Sequence, residues 1–137
     1  MTTRMLLKNP RLQSVDTIEI EAQMVSTVRQ LSDQVGEIFS DPRSRIIIDD
    51  AKSYFAASRS RYDLIVAEPS NPWVSGVASL FTAEFYRSML RHMTDDGVFV
   101  QWRQTYETDY PSISSVMRAL GAHFQTTPCI RPLTAIS

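Results

Sequence analysis

Two short, wholly apolar segments, each ending abruptly at acidic residues, restrict the folds open to this chain more than any other feature. Residues 46–48 are followed by Asp49 and Asp50, and residues 64–67 are followed by Glu68. A strand with one face in water alternates apolar and polar residues, whereas a strand buried on both faces need not. They are therefore predicted to lie in two strands, at 45–48 and 63–67, of a sheet that is covered on both sides.

Helical patterns lie between the strand patterns along the whole chain. Further strands are predicted at 15–20, 98–102 and 124–127, and helices at 2–8, 22–35, 51–58, 82–93 and 112–121. Thr82 is the predicted N-cap of its helix, and Asp95-Asp96-Gly97 is a predicted turn. Strands that alternate with helices indicate an α/β fold, with a parallel sheet and helices on both of its faces.

The size, charge and cysteine content of the chain narrow its function. A length of 137 residues fits one domain. With 14 basic and 15 acidic residues the net charge is −1, so no basic surface for nucleic acid or an anionic membrane is expected. The single cysteine excludes a disulfide framework and favours a reducing, cytoplasmic location. No apolar run is long enough to span a bilayer.

A metal site is not expected either. The two histidines, His92 and His123, are isolated in the sequence and are interpreted as surface or cap residues rather than as ligands. The predicted chemistry therefore rests on carboxylates, amides and aromatic rings.

Acidic residues follow three of the predicted strands. They are Glu19 and Glu21, then Asp49 and Asp50, and finally Glu68. In open α/β sheets ligands bind at the carboxyl ends of the strands, so the three positions together predict an acid-lined cleft. For any single acid, a solvated strand exit or a helix N-cap is an equally good interpretation.

The cleft suits an adenosyl group. A carboxylate just after a strand, here Glu19 or Glu21, can accept hydrogen bonds from both ribose hydroxyls. Asp50 can accept from an exocyclic amine such as that of adenine, and the small side chain of Ala51 leaves room for a ring. None of the four glycines lies in a strand–turn–helix near the start of the chain, where a glycine-rich ligand loop is usual.

Four segments resemble the spermidine/spermine synthase family of aminopropyltransferases, most of all the bacterial spermidine-synthase-like branch that reads EPSNPW. They are TIEIEAQMV, RIIIDDAKSYF, YDLIVAEPSNPWVSGVASLFTAEFY and GVFVQW, and the resemblance runs from about residue 2 to residue 106. It implies a Rossmann-like sheet of the class I methyltransferase type. It also implies transfer of an aminopropyl group from decarboxylated S-adenosylmethionine to an amine substrate, in polyamine biosynthesis. Compared with the family, residues 1–137 are expected to form a single partial domain that lacks the first strand and the glycine-rich loop.

The resemblance assigns roles to residues at the strand ends. Glu19 matches the acid that holds the ribose, and Asp50 matches the acid at the adenine amine. Ala51 stands where many family members have glycine. Glu68 stands where they have the catalytic aspartate, and Asn71 replaces a second aspartate.

Three more residues are expected on the amine side. Trp73 is interpreted either as a wall of the cleft or as ordinary packing. Gln101 ends a strand and is expected to line the cleft, and by resemblance Tyr106 faces the amine pocket. Asn71-Pro72-Trp73 is also similar to a motif of amine methyltransferases, so a methyltransferase that uses S-adenosylmethionine is the alternative, with a non-catalytic fragment as a third.

The strand order implied by the resemblance predicts a partner. In the order 3-2-1-4-5 the first strand is central, and without it the strands at 15–20 and 63–67 each lose a neighbour. Unpaired backbone groups in a buried sheet cost about 1–3 kcal/mol each. Either the two strands pair with each other directly, or a second copy supplies the pairing surface, and we expect a homodimer.

Overall fold

A computed structural model describes residues 2–30, 36–69, 76–103 and 110–124 of the chain. The chain divides into two compact units, Met1–Ser58 and Arg59–Ser137. Within the described ranges, each unit has one pair of parallel strands. The expectation that residues 1–137 form a single partial domain stays a prediction.

The described residues of the first unit form two strands and four helices. In chain order they are α1 (Thr2–Leu7), β1 (Val15–Glu19), α2 (Ala22–Gln30), α3 (Glu37–Ser40), β2 (Ser44–Ile48) and α4 (Ala51–Ala57). β1 and β2 run parallel with no irregularity, from the pair Val15 and Ser44 to the pair Glu19 and Ile48. Both strands therefore end at the same edge. Helix α2 begins where it was predicted, and residues 31–35 of that prediction lie outside the described residues.

Helices lie on both faces of this strand pair. The Thr3 hydroxyl in α1 is 2.8 Å from the hydroxyl of Thr17 in β1. The Tyr54 hydroxyl in α4 donates to the Asp16 carboxylate at 3.5 Å. Successive strand residues point to opposite faces, so α1 and α4 cover opposite sides of β1. Helices thus lie on both faces of β1, whereas Ile48 at the end of β2 is 50 % exposed.

The guanidinium of Arg43 ties α1 to the segment that leads into β2. It donates to the carbonyl oxygen of Leu7 at 2.8 Å, which is one of the unpaired carbonyls at the end of α1. It also donates to the Asp41 carboxylate at 2.7 Å, and these hydrogen bonds hold the pKa of Asp41 below its usual value. The contact fixes where β2 begins.

In the second unit, the ranges that the structure describes form two strands, two α-helices and a 3₁₀ helix. In chain order they are β3 (Tyr62–Ala67), the 3₁₀ helix (Val77–Phe81), α5 (Ala83–Arg91), β4 (Met93–Gln101) and α6 (Tyr110–Gly121). β3 runs parallel to β4, and the last pair of the ladder is Ala67 with Gln101. The Thr82 side chain accepts a hydrogen bond from the Phe85 amide at 3.3 Å, so the predicted N-cap is confirmed.

The predicted turn at Asp95-Asp96-Gly97 is wrong, because these residues lie inside β4. Tyr62 pairs with Met93 and Leu64 pairs with Val98, so residues 94–97 form a bulge opposite a single residue of β3. A Cβ on Gly97 would lie 2.9 Å from the carbonyl oxygen of Thr94. The turn-forming composition is used to fold the bulge rather than to begin the strand.

The core of the second unit lies between α5 and β4. Tyr86 is fully buried at 0 % exposure, and its ring meets that of Phe99 edge to face with centroids 5.9 Å apart. His92 is also buried, so its surface interpretation is wrong. It is a cap, because its backbone amide donates to the Met89 carbonyl at 2.9 Å as α5 ends. The opposite face of β4 carries Val98 at 54 % and Val100 at 45 % exposure.

The strand pairing tests one of the two arrangements that were expected for the strands at 15–20 and 63–67. Among the described strands, β1 pairs with β2 and β3 pairs with β4, so direct pairing of segment 15–20 with segment 63–67 is wrong. These are nevertheless the pairs that the order 3-2-1-4-5 leaves when its first strand is removed. The homodimer stays a prediction. Residues 125–127 of the final predicted strand lie outside the described residues.

Candidate functional site

Glu19 lies at the carboxyl end of β1, where it is half-buried. Its carbonyl oxygen accepts a hydrogen bond from the Asp49 amide at 3.1 Å, which extends the β1–β2 ladder past the last strand residue. Its side-chain Oε1 accepts from the Glu21 amide at 3.0 Å. Within the described ranges Oε2 accepts no hydrogen bond, so it is available to a donor such as a ribose hydroxyl.

Asp50 is the N-cap of α4. Its Oδ1 accepts from the Ser53 amide at 2.9 Å, so the N-cap interpretation is confirmed for one oxygen. Its Oδ2 accepts no hydrogen bond from a described residue, and a carboxylate can serve two donors at once. Ala51 follows as the first residue of α4 and is half-buried, so both residues lie just past the end of β2.

The other two acids at this edge, Glu21 and Asp49, are less well placed to bind a ligand. Glu21 is exposed, and its Oε1 accepts from the Gln23 amide at 3.1 Å. Asp49 is exposed, and its Oδ1 accepts from the Asp50 amide at 2.8 Å. Of the two candidates for the ribose, Glu19 is the half-buried one, and burial strengthens a carboxylate's hydrogen bonds to a ligand.

Glu68 lies in the second unit, one residue past the end of β3. The Trp102 amide donates to the Ala67 carbonyl at 2.8 Å, so the ladder with β4 closes at the residue before Glu68. The Glu68 side chain is exposed. An exposed carboxylate on a backbone fixed by its neighbours can reach a substrate amine and accept its proton.

Gln101, the last residue of β4, directs its side chain toward the helices. Its Oε1 accepts from the Tyr86 hydroxyl at 2.6 Å, and its Nε2 donates to the Leu80 carbonyl at 2.9 Å. Both ends of the amide are therefore bound within the protein. A role in lining the cleft stays a prediction, and the contacts with Tyr86 and Leu80 were not expected from the sequence.

Arg103 was not among the site residues predicted from the sequence. It lies two residues past β4, with its guanidinium carbon 5.6 Å from the centre of the Phe81 ring, and it donates to the Ser112 carbonyl at 3.2 Å. It therefore links the end of β4 to the 3₁₀ helix and to α6. A cationic residue after a strand that carries a candidate site would have been the signal.

Three predicted site residues, Asn71, Trp73 and Tyr106, lie outside the described residues. In the part of the chain that the structure does describe, no group of three or more histidine, cysteine or acidic residues could hold a metal ion. No helix in that part has the length and apolar character needed to cross a membrane.

Comparison with known proteins gives one family. The family model described as the spermine/spermidine synthase domain matches residues 1–134. Among curated proteins, the polyamine aminopropyltransferase of Moorella thermoacetica is 31 % identical over 97 residues, which is 71 % of this chain and 34 % of that protein. The polyamine aminopropyltransferase of Clostridium perfringens is 28 % identical over 110 residues, or 80 % of this chain and 38 % of that protein. The chain thus spans little more than a third of the length of these relatives.

Solved structures give the same fold. A crystal structure of spermidine synthase from Thermotoga maritima matches with a TM-score of 0.74 at 24 % identity, and the match covers 91 % of this chain and 42 % of that one. A spermidine synthase in complex with the transition-state analogue AdoDATO matches with a TM-score of 0.81 at 24 % identity, covering 91 % and 43 %. The predicted Rossmann-like α/β fold with parallel strands is confirmed.

Proposed function

This chain belongs to the spermine/spermidine synthase domain family, and from that membership we propose that it serves aminopropyl transfer from decarboxylated S-adenosylmethionine to an amine. By resemblance to the family, Glu19 and Asp50 are proposed to contact the adenosyl group. Glu68 is proposed, also by resemblance, to accept a proton from the amine. The curated relatives are polyamine aminopropyltransferases, which supports this assignment.

One observation carries the adenosyl part of the proposal: Glu19 and Asp50 lie at the same edge of one strand pair, each with an oxygen that no described residue binds. Ribose hydroxyls and an adenine amine are all donors, and carboxylates are acceptors. Glu19 would hold the ribose and Asp50 the adenine amine. Ala51 would leave space for the ring.

The chemical step needs a base because the acceptor is protonated in water. With a pKa near ~10.4, only about one amine in 10³ is neutral at pH 7, a cost of roughly 4–5 kcal/mol. Glu68 offsets part of this cost by positioning the amine and taking its proton as the new bond forms. The amine nitrogen attacks the carbon beside the sulfonium, the C–S bond breaks, and its electron pair neutralises the sulfur. The products are 5′-methylthioadenosine, the alkylated amine and a protonated Glu68.

The acceptor amine is proposed to carry fewer positive charges than a long polyamine. Asn71 stands where the resemblance expects a second aspartate, so one anion is missing from the amine side. Glu68 replaces an aspartate and is one methylene longer. A displacement of about 1 Å can cost on the order of 10² in rate, so the preferred amine is one that fits the longer side chain.

A second candidate function is binding of adenosyl compounds without transfer. Its support is that the contacts assigned to Glu19 and Asp50 hold an adenosyl group without any contribution from Glu68. Methyl transfer is less well supported, because Glu68 would have no necessary role: many amine methylations need no added carboxylate.

The test is a transfer assay that follows the nucleoside product. The chain is incubated with decarboxylated S-adenosylmethionine and a set of mono-, di- and triamines, and 5′-methylthioadenosine is measured by chromatography. Aminopropyl transfer predicts amine-dependent release of this nucleoside. Release of S-adenosylhomocysteine from S-adenosylmethionine with the same amines would identify a methyltransferase instead. If the chain binds the nucleoside but forms neither product, only the binding function is supported.

A further inference from the structure

We infer that Gln101 and Tyr86 act as one positioning pair, which holds the end of β4 against the helices and thereby fixes the backbone on which Glu68 is carried. This inference deepens the proposed function, since it concerns the same edge of the second unit. It gives Gln101 a role different from contact with the substrate. Neither residue is proposed to touch the reacting atoms.

The geometry of the Gln101 side chain carries the inference. Its amide oxygen accepts from the Tyr86 hydroxyl at 2.6 Å and its amide nitrogen donates to the Leu80 carbonyl at 2.9 Å. The three residues come from β4, from α5 and from the 3₁₀ helix. A single side chain therefore joins three elements by two hydrogen bonds of good length.

Both partners of Gln101 would otherwise be poorly satisfied. Tyr86 is fully buried, and a buried phenol hydroxyl without an acceptor costs free energy. Leu80 lies near the end of a 3₁₀ helix, where carbonyl groups have no partner within the helix. Because each loss would leave a polar group unpaired, the link resists being opened.

The link reaches Glu68 through the backbone of β4. Gln101 is paired with Ala67, and the amide of the next residue, Trp102, donates to the Ala67 carbonyl at 2.8 Å. Ala67 immediately precedes Glu68. When the side chain of Gln101 is released, this last rung of the ladder is free to fray, and Glu68 moves with it.

Direct contact of Gln101 with the amine is the competing interpretation. Tyr86 distinguishes the two, because it is fully buried and cannot touch a substrate. If the pair acts by positioning, loss of the Tyr86 hydroxyl alone reproduces the effect of changing Gln101. If Gln101 binds the amine, only the Gln101 change matters.

The experiment compares Tyr86→Phe, Gln101→Leu and the double variant with the unchanged chain, and uses Tyr110→Phe, at an exposed tyrosine, as the control. Hydrogen–deuterium exchange is measured on peptides covering residues 77–82, 98–103 and 15–19. Transfer rates are measured at varied amine concentration. Exchange does not depend on activity, so the positioning link is tested even if no transfer is found.

We expect exchange of residues 79–82 and of the Trp102 amide to rise about three- to tenfold in all three variants, with residues 15–19 unchanged. The kcat falls about ten- to a hundredfold while KM for the amine stays within about twofold, and the double variant is no worse than the worse single one.

Unchanged exchange in Tyr86→Phe overturns the inference. So does a raised amine KM confined to Gln101→Leu. If Gln101→Leu does not fold, the conservative Tyr86→Phe decides alone. Faster exchange in a chain without transfer upholds the link and refutes the proposed function.

Discussion

The amide of Asp49 donates a hydrogen bond to the carbonyl oxygen of Glu19 at 3.1 Å, one step beyond the last paired residues of β1 and β2. The contact holds the two strand ends together at the point where each delivers its acid. Asp50 follows at once and caps α4. This backbone contact places both acidic residues at one edge, so their side chains can be changed without opening the strand pair.

Asp50 is expected to serve both the fold and the ligand, and two substitutions separate these roles. Asp50→Ser keeps an oxygen for the Ser53 amide but lacks the reach to an adenine amine, so stability is retained and nucleoside affinity falls about tenfold. Asp50→Ala loses both and is less stable by about 1 kcal/mol. Thermal unfolding and calorimetric titration check the two effects. Equal affinity in Asp50→Ser and the unchanged chain would remove Asp50 from the site.

Glu68→Gln is expected to lower the transfer rate by about 10²–10⁴, because the amide cannot accept the proton of the amine. Binding of 5′-methylthioadenosine should not change, since its contacts are assigned to the first unit. Glu84→Gln, at an exposed acid in the first turn of α5, is the matched control and should transfer normally. A Glu68→Gln variant that transfers as fast as the control would show that Glu68 is not the base.

Ionisation of Tyr86 is expected to destabilise the folded second unit at high pH. Burial raises the pKa of its phenol to about 12, against the opposing effect of the Arg103 cation. The unfolded chain loses this proton near pH 10 and the folded chain only near pH 12, so stability falls as the pH rises between these values. Unfolding followed from pH 9 to pH 12 should show a smaller loss in Tyr86→Phe than in Tyr110→Phe. Identical slopes in the two variants would contradict the assignment.

Protonation of Asp41 is expected to destabilise the folded first unit at low pH. Its hydrogen bonds with Arg43 lower its pKa, so the unfolded chain binds the proton first as the pH falls. The stabilisation is present above about pH 4 and is lost as the pH falls through the lowered value. Asp41→Asn should lower the melting temperature at pH 7, and this loss should shrink as the pH falls through the lowered pKa of Asp41. The control is Asp95→Asn, whose side chain is 98 % exposed in its ion pair with Arg61. An equal effect of the two substitutions at pH 7 would argue against a stabilising Asp41–Arg43 contact.

The sequence predicted most of the regular structure because periodicity and caps are local signals. The apolar run at 46–48 and the alternation at 15–20 gave the strands of the first unit, and Thr82 gave the start of α5. The same composition of Asp95-Asp96-Gly97 fits both a turn and a bulge, and only the pairing with β3 decides between them. The short α3 and the 3₁₀ helix span too few residues to show a period.

The sequence predicted the positions of the site residues along the backbone but not the directions of their side chains. The strand ends put Glu19, Asp50 and Glu68 where ligand-binding residues of such sheets lie. The direction of the Gln101 side chain was not predictable, because it depends on a hydroxyl 15 residues earlier in the chain that reaches it only after α5 has packed on β4. By contrast, the cap that Asp50 forms with the Ser53 amide is a local contact, and a helix N-cap was one of the interpretations open for each acid.

The most direct test of the central claim is calorimetric titration of the chain with 5′-methylthioadenosine, with Glu19→Ala measured beside it. This nucleoside lacks the aminopropyl tail, so its binding depends on the contacts assigned to Glu19 and Asp50. Micromolar binding that Glu19→Ala abolishes is the predicted result. No binding at millimolar concentration, or binding that Glu19→Ala leaves intact, would contradict the assignment of this edge as an adenosyl site.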